Sequence, residues 1–285
     1  MDTKKIAVIG AGTMGNGIAQ VCAAGGFEVV MTDVDDAAVK RGLDTVAKNL
    51  DRLLAKQKIS ADDKAAILGR IKTATVLDAV AGCDVVVEAA TERVDLKLKI
   101  FADLDRIAQP SAILASNTSS ISLTRIAAAT KRPAQVIGMH FFNPVPVMQL
   151  VELIRALQTS DATFGTVKAL AQKVGKTPVE VKNSPGFVAN RILLPMLNEA
   201  VFCLYEGLAT PADIDTVMKL GMAHPMGPLA LADLIGLDTC LSILEVLFEG
   251  FKDPKYRPCP LWREKVDAGH LGRKSGRGFF DYTKA

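Results

Sequence analysis

The chain has 285 residues, near twice the usual domain size, so two domains are expected in one polypeptide. Apolar residues make up 49% and charged residues 23%, which excludes a disordered chain, a collagen-like repeat and a disulfide scaffold. Thirty-four Lys and Arg against 31 Asp and Glu leave +3, too mild a surplus for a dedicated nucleic-acid binder. The five cysteines (Cys22, Cys83, Cys203, Cys240, Cys259) are scattered with no CxxC, which fits reduced thiols in a cytoplasmic protein. The three histidines lie far apart, so no metal site is expected. No apolar run reaches the length of a membrane span, and no membrane association is expected either.

In chain order, strands are predicted at 5–9 (KIAVI), 28–32 (EVVMT), 84–88 (DVVVE), 112–116 (AILAS) and 135–140 (QVIGMH). Two further strand-like pieces, LVELI at 150–154 and VEV at 179–181, extend the set. Helical periodicity lies between them, as in Val39, Leu43, Val46, Leu50 and Leu54. Apolar strands alternating with helices predict an α/β fold with a mostly parallel sheet covered on both faces. From Asn183-Ser184-Pro185-Gly186 onward the strand signals stop. Helices are predicted there, with a start at Thr210-Pro211-Ala212-Asp213 and stops at Gly207 and Gly250. The expected division is therefore 1–184, then an all-α domain at 185–285. The apolar surplus of that second domain suggests a homodimer.

The strongest local signal is Gly10-Ala11-Gly12-Thr13-Met14-Gly15, directly after the first strand and opening a helix pattern. Such glycines allow a tight turn, let backbone N–H groups approach a pyrophosphate, and let helix pack on strand. Asp33 ends the second strand, 18 residues after Gly15. A carboxylate there accepts hydrogen bonds from the ribose hydroxyls and repels a 2′-phosphate, which predicts a Rossmann-type domain binding NAD rather than NADP. The bland alternative is a glycine turn with a surface aspartate.

A second stretch, Gly138 to Pro146 (GMHFFNPVP), follows a predicted parallel strand, at the edge where such sheets place ligands. Glu152, twelve residues after His140, is the only charge within 150–154. A carboxylate between Val151 and Leu153 is expected to be partly buried and to need a partner, and His140 would serve. Fixing one ring nitrogen leaves the other as a proton acceptor, suited to taking an alcohol proton as hydride leaves the carbon. Taken singly, a histidine among aromatic residues is more often structural.

These residues carry a resemblance that runs over nearly the whole chain. IGAGTMG at 9–15, VVEAATE at 86–92, SNTSS at 116–120, GMHFFNPVPVMQLVE at 138–152, SPGFVANR at 184–191, MKLGMAHPMGP at 218–228 and GRGFFDY at 276–282 resemble the short-chain 3-hydroxyacyl-CoA dehydrogenases, most closely the bacterial 3-hydroxybutyryl-CoA branch. The resemblance implies NAD-dependent, reversible oxidation of an (S)-3-hydroxyacyl-CoA, such as 3-hydroxybutyryl-CoA, to the 3-oxoacyl-CoA. It implies that His140 is the general base and that Glu152 orients it. Ser119 would donate to the substrate's C3 oxygen, and Asn190 would reach the substrate from the second domain. On the bare sequence both read as cap or loop residues. Contacts to NAD are implied for Glu92, Lys97, Asn117 and Asn143. The chain starts directly at the first strand and finishes just after GRGFFDYTKA, so it is expected to be complete.

Residues 40–72 hold nine Lys and Arg against four aspartates. Asn49, Arg52 and Lys56 fall on one flank of the helix whose other face carries Val39, Leu43, Val46 and Leu50. Coenzyme A carries a 3′-phosphate and a pyrophosphate, which a basic flank would hold. In the family this helix and its neighbour form the CoA site, and Asn49 and Lys56 match its contact positions. A solvated charged face is the alternative.

Overall fold

Short runs of β-branched residues without polar alternation are satisfied only where both faces are covered. The computed structural model, which describes residues 3–283, buries them in that way. The chain divides into two compact units between Asn183 and Ser184.

The first unit opens with β1 (Lys5–Ile9), α1 (Thr13–Ala24) and β2 (Glu28–Thr32), a parallel βαβ unit. Helix α2 (Asp36–Ala55) starts on an Asp35 cap that accepts from Ala38 N, and buries Val39, Val46 and Leu50. Helix α3 (Ala61–Gly69), capped by a reciprocal Ser60–Asp63 pair, leads into β3 (Ile71–Ala74). This strand is absent from the sequence-based assignment. Only Ile71 is buried in it, so the edge strand shows no apolar run. Next come β4 (Val85–Glu88), α4 (Val94–Ile107), β5 (Ile113–Ser116), α5 (Leu123–Ala128) and β6 (Val136–Phe141).

Strand β7 (Leu150–Arg155) pairs antiparallel with β6. The segment 142–149 is too short for the crossover of a dozen or more residues that a parallel return needs. Helix α6 (Asp161–Lys173) then carries the chain back to β8 (Thr177–Lys182), parallel to β7. The sheet order is β3-β2-β1-β4-β5-β6-β7-β8. The order reverses at β1, so the carboxyl ends of β1 and β4 flank the crevice where open α/β sheets take ligands.

The second unit contains α7 (Ala189–Tyr205), α8 (Pro211–Gly221), α9 (Pro228–Ile235), α10 (Leu237–Phe251) and α11 (Pro260–Asp267). Thr210 caps α8 as its sequence pattern predicts, and Gly207 follows the end of α7. Gly250 falls one residue before the end of α10, as its pattern predicts. An added Cβ there would stand 2.7 Å from the Pro185 ring, so the glycine also permits close packing. Trp262 is fully buried, and its Nε1 donates to Asn198 Oδ1 at 3.0 Å. Asp215 accepts from Leu229 N and Ala230 N, satisfying the first turn of α9. No described helix is long and apolar enough to cross a membrane.

Candidate active site

Gly10 leaves β1 at φ +96°, a conformation that disfavours a Cβ, and one placed there would lie 2.6 Å from the Ala89 carbonyl oxygen. A Cβ on Gly15 would lie 1.7 Å from Gly10 O, so α1 can begin this close to the turn only with glycine there. At Gly12 a Cβ would meet nothing within 4 Å. Gly12 is the N-cap of α1 and offers no side chain to its first turn, so the leading N–H groups remain for an anion. The Met14 side chain packs against the core, which leaves its backbone for the turn.

Asp33 follows β2 and closes this wall. Its Oδ2 accepts from Ala11 N and its Oδ1 from Val34 N, each at 2.7 Å. A cavity of ≈ 560 Å³ opens here, its walls including Gly12, Thr13, Asp33, Arg41, Asn49 and Asn143. Glycine cradle, helix N-terminus and strand-end carboxylate fit a dinucleotide: pyrophosphate at the turn, ribose at Asp33.

Beyond β4 and β5 two short loops are bound together by Glu92, which is paired with a buried lysine. Lys97, in α4, is 1% exposed; its Nζ lies 2.6 Å from Glu88 Oε1 and 3.2 Å from Glu92 Oε2, and donates to Ala90 O. Glu88 also accepts from Ser116 Oγ and from Ala90 N. Glu92 Oε1 accepts from Thr118 Oγ1, from Ser119 N and Oγ, and from Ser120 Oγ. Burial pushes the Glu92 carboxyl up, but the Lys97 ammonium and these hydrogen bonds outweigh it and hold the carboxyl below its ordinary value. Asn117 N donates to Glu88 O, and Asn117 Oδ1 accepts from Phe141 N. Glu88 is missing from the sequence-based site, although a lone charge in an apolar strand is the same signal that singles out Glu152.

His140 and Glu152 stand directly opposite each other in the antiparallel β6–β7 register. Their side chains share a face, with His140 Nδ1 and Glu152 Oε2 2.8 Å apart. His140 is 7% exposed and Glu152 2%. With Nδ1 donating to the carboxylate, Nε2 carries the lone pair. The Phe142 ring tilts against the imidazole at 4.6 Å between centroids. Lys176 is a second omission from the sequence reading. From just before β8 it donates to Val145 O and Met148 O, bracing the segment that carries Asn143.

The basic stretch is less open than its composition implies. Lys40 pairs with Asp44, Lys64 with Asp51, and Arg70 donates to Ala23 O. Arg52 and Lys56 are exposed. Asn49 Nδ2 donates to Gln20 Oε1 at 3.3 Å, and Lys56 lies just past the end of α2. Asn190 is half-buried in the first turn of α7, in the second unit.

Residues 5–184 match the family description "3-hydroxyacyl-CoA dehydrogenase, NAD binding domain", and residues 186–282 match "3-hydroxyacyl-CoA dehydrogenase, C-terminal domain". The probable 3-hydroxybutyryl-CoA dehydrogenase of Bacillus subtilis is 57% identical over 284 residues, spanning 100% of this chain and 99% of that protein. The 3-hydroxybutyryl-CoA dehydrogenase of Bradyrhizobium diazoefficiens is 55% identical, over 99% of this chain and 96% of its own. The crystal structure of (S)-3-hydroxybutyryl-CoA dehydrogenase from Ralstonia eutropha is 59% identical, with a TM-score of 0.96, over 99% of this chain and 100% of that one.

Proposed function

This chain belongs to the 3-hydroxyacyl-CoA dehydrogenase family of NAD-dependent oxidoreductases, and on that premise we propose that it interconverts (S)-3-hydroxyacyl-CoA, foremost 3-hydroxybutyryl-CoA, and 3-oxoacyl-CoA. The observation that carries this reading is the buried His140–Glu152 pair, on a strand whose Phe141 N donates to Asn117 in the loop that bears Ser119. Bound NAD supplies the hydride acceptor. His140 Nε2 takes the C3 hydroxyl proton, and Glu152 stabilises the imidazolium that results. Ser119 and Asn190 hydrogen-bond the substrate's oxygens, a positioning and electrostatic role. In the reverse direction His140 returns the proton.

Asp33 receives the adenosine ribose, and Gly10 to Gly15 receive the pyrophosphate. Glu92, Lys97, Asn117 and Asn143 form the nicotinamide end, with Lys97 acting through Glu92. Asn49, Arg52 and Lys56 are assigned to the phosphates of CoA. The units 1–184 and 185–285 are read as cofactor domain and helical domain, the latter joining two copies. Unpaired thiols support a cytoplasmic location.

The test is absorbance of the reduced cofactor with 3-hydroxybutyryl-CoA and, separately, free 3-hydroxybutyrate. Turnover is expected with the thioester alone; equal turnover with the free acid would remove CoA from the assignment. His140→Gln should keep NAD affinity and lose about 10²–10⁴-fold in kcat, as expected for a general base. Retained turnover would rule His140 out.

A further inference from the structure

Glu88 is fully buried at the carboxyl end of β4, next to the crevice, and its side chain is assigned no contact with cofactor or substrate. Burying a carboxylate is expensive, and here three donors compensate it: Lys97 Nζ at 2.6 Å, Ser116 Oγ at 2.6 Å and Ala90 N at 2.7 Å. Apolar residues of similar volume often stabilise a fold as well as a buried ion pair does. The arrangement therefore calls for a role beyond stability.

The geometry points to one. The Lys97 ammonium is shared by two carboxylates, close to Glu88 and 3.2 Å from Glu92. Glu92 Oε1 in turn receives Ser119 Oγ at 3.4 Å and Ser119 N at 3.0 Å. The same carboxyl end is tied to the Ser119 loop a second time, because Ser116 Oγ also accepts from Thr118 N. We propose that Glu88 is a positioning residue for the reaction: it anchors Lys97, Lys97 sets the place of Glu92, and Glu92, accepting from Ser119 N, sets where the Ser119 hydroxyl stands, its proton passing to the substrate oxygen when substrate binds. This rests on the assignment of Ser119 to the substrate oxygen. Without the Glu88 charge, the ammonium retains Glu92 as its carboxylate among these contacts and draws it away from the serines. A small displacement of the hydroxyl matters because transfer depends on alignment of the reacting atoms.

A double-mutant cycle tests it, with Glu88→Gln, Ser119→Ala and both together. The expected result is a loss of about tenfold or more in kcat for Glu88→Gln, with KM for the thioester changed less than about twofold. With NAD saturating in every variant, the same substitution in the Ser119→Ala background should leave kcat unchanged within about twofold. Loss of melting temperature with normal kcat, or effects that multiply across the cycle, would overturn the role of Glu88 while leaving that of Ser119. Normal kcat in Ser119→Ala alone would instead overturn the serine assignment, and with it the proposal. Should Glu88→Gln fold poorly, Glu88→Leu with Lys97→Met removes both charges from the interior. That pair is expected to fold and to turn over as slowly as Ser119→Ala; near-normal turnover would overturn the role.

Discussion

Asp33 shows how one side chain does two tasks at different stages. Its oxygens accept from Ala11 N and Val34 N, so the carboxylate braces the glycine turn as well as facing the cavity. Asp33→Ala should weaken NAD binding through both, and it should narrow the preference over NADP because repulsion of a 2′-phosphate is gone. Cofactor titration with both nucleotides measures this; an unmoved ratio would refute the ribose assignment. At this scale the glycine motif, Asp33, His140 and Glu152 were legible in the sequence, since each combines an unusual residue type with a strand end or apolar run. Glu88 and Lys176 were not singled out. Their importance comes from partners 9 to 31 positions away, which spacing along the chain does not show.

At the scale of elements, the loops after β4 and β5 act as one piece because Glu92 receives the donors of the second while sitting in the first. The native Glu92 carboxyl binds its proton more weakly than in the unfolded chain. Its stabilising contribution is therefore full above the ordinary carboxylate range and is lost as pH falls through its lowered value. Protection of the 116–121 amides, taken relative to their intrinsic exchange rate at each pH, should fall on acidification, and Glu92→Gln should flatten that dependence while lowering protection at neutral pH. An unchanged pH profile in the variant would show that another group governs the loop. The strands themselves were readable wherever both faces are buried; β3 was not, because its outward residues are polar. Nor did periodicity alone give the antiparallel turn from β6 to β7, and that reversal sets His140 opposite Glu152.

For the molecule as a whole, exposed apolar side chains bear on assembly. The helical unit leaves Ile192 67%, Leu208 68% and Leu220 81% exposed, large side chains that an isolated unit has reason to cover. Val217 and Leu220 stand one turn apart on α8, and these exposed side chains are the ones proposed to meet a second copy. Sedimentation should give twice the chain's mass, and Leu220→Asp should shift it toward the single chain with the fold retained. A single-chain mass for the unsubstituted protein would refute the dimer.

The sequence by itself determined the kinds of element and the glycine turn, and it singled out His140 and Glu152 as the residues proposed for the acid–base pair. These follow from local rules: apolar period, glycine geometry and the isolation of a charge in an apolar run. Tertiary structure alone decided which charges are committed and to whom. Of the basic stretch that composition presents as a patch, Lys64 is paired across helices with Asp51 and Arg70 donates to Ala23 O. Lys97, by composition one more surface lysine, becomes the buried hub between Glu88 and Glu92. Burial and pairing depend on which strand ends the sheet order brings together, and that order is a property of the whole fold.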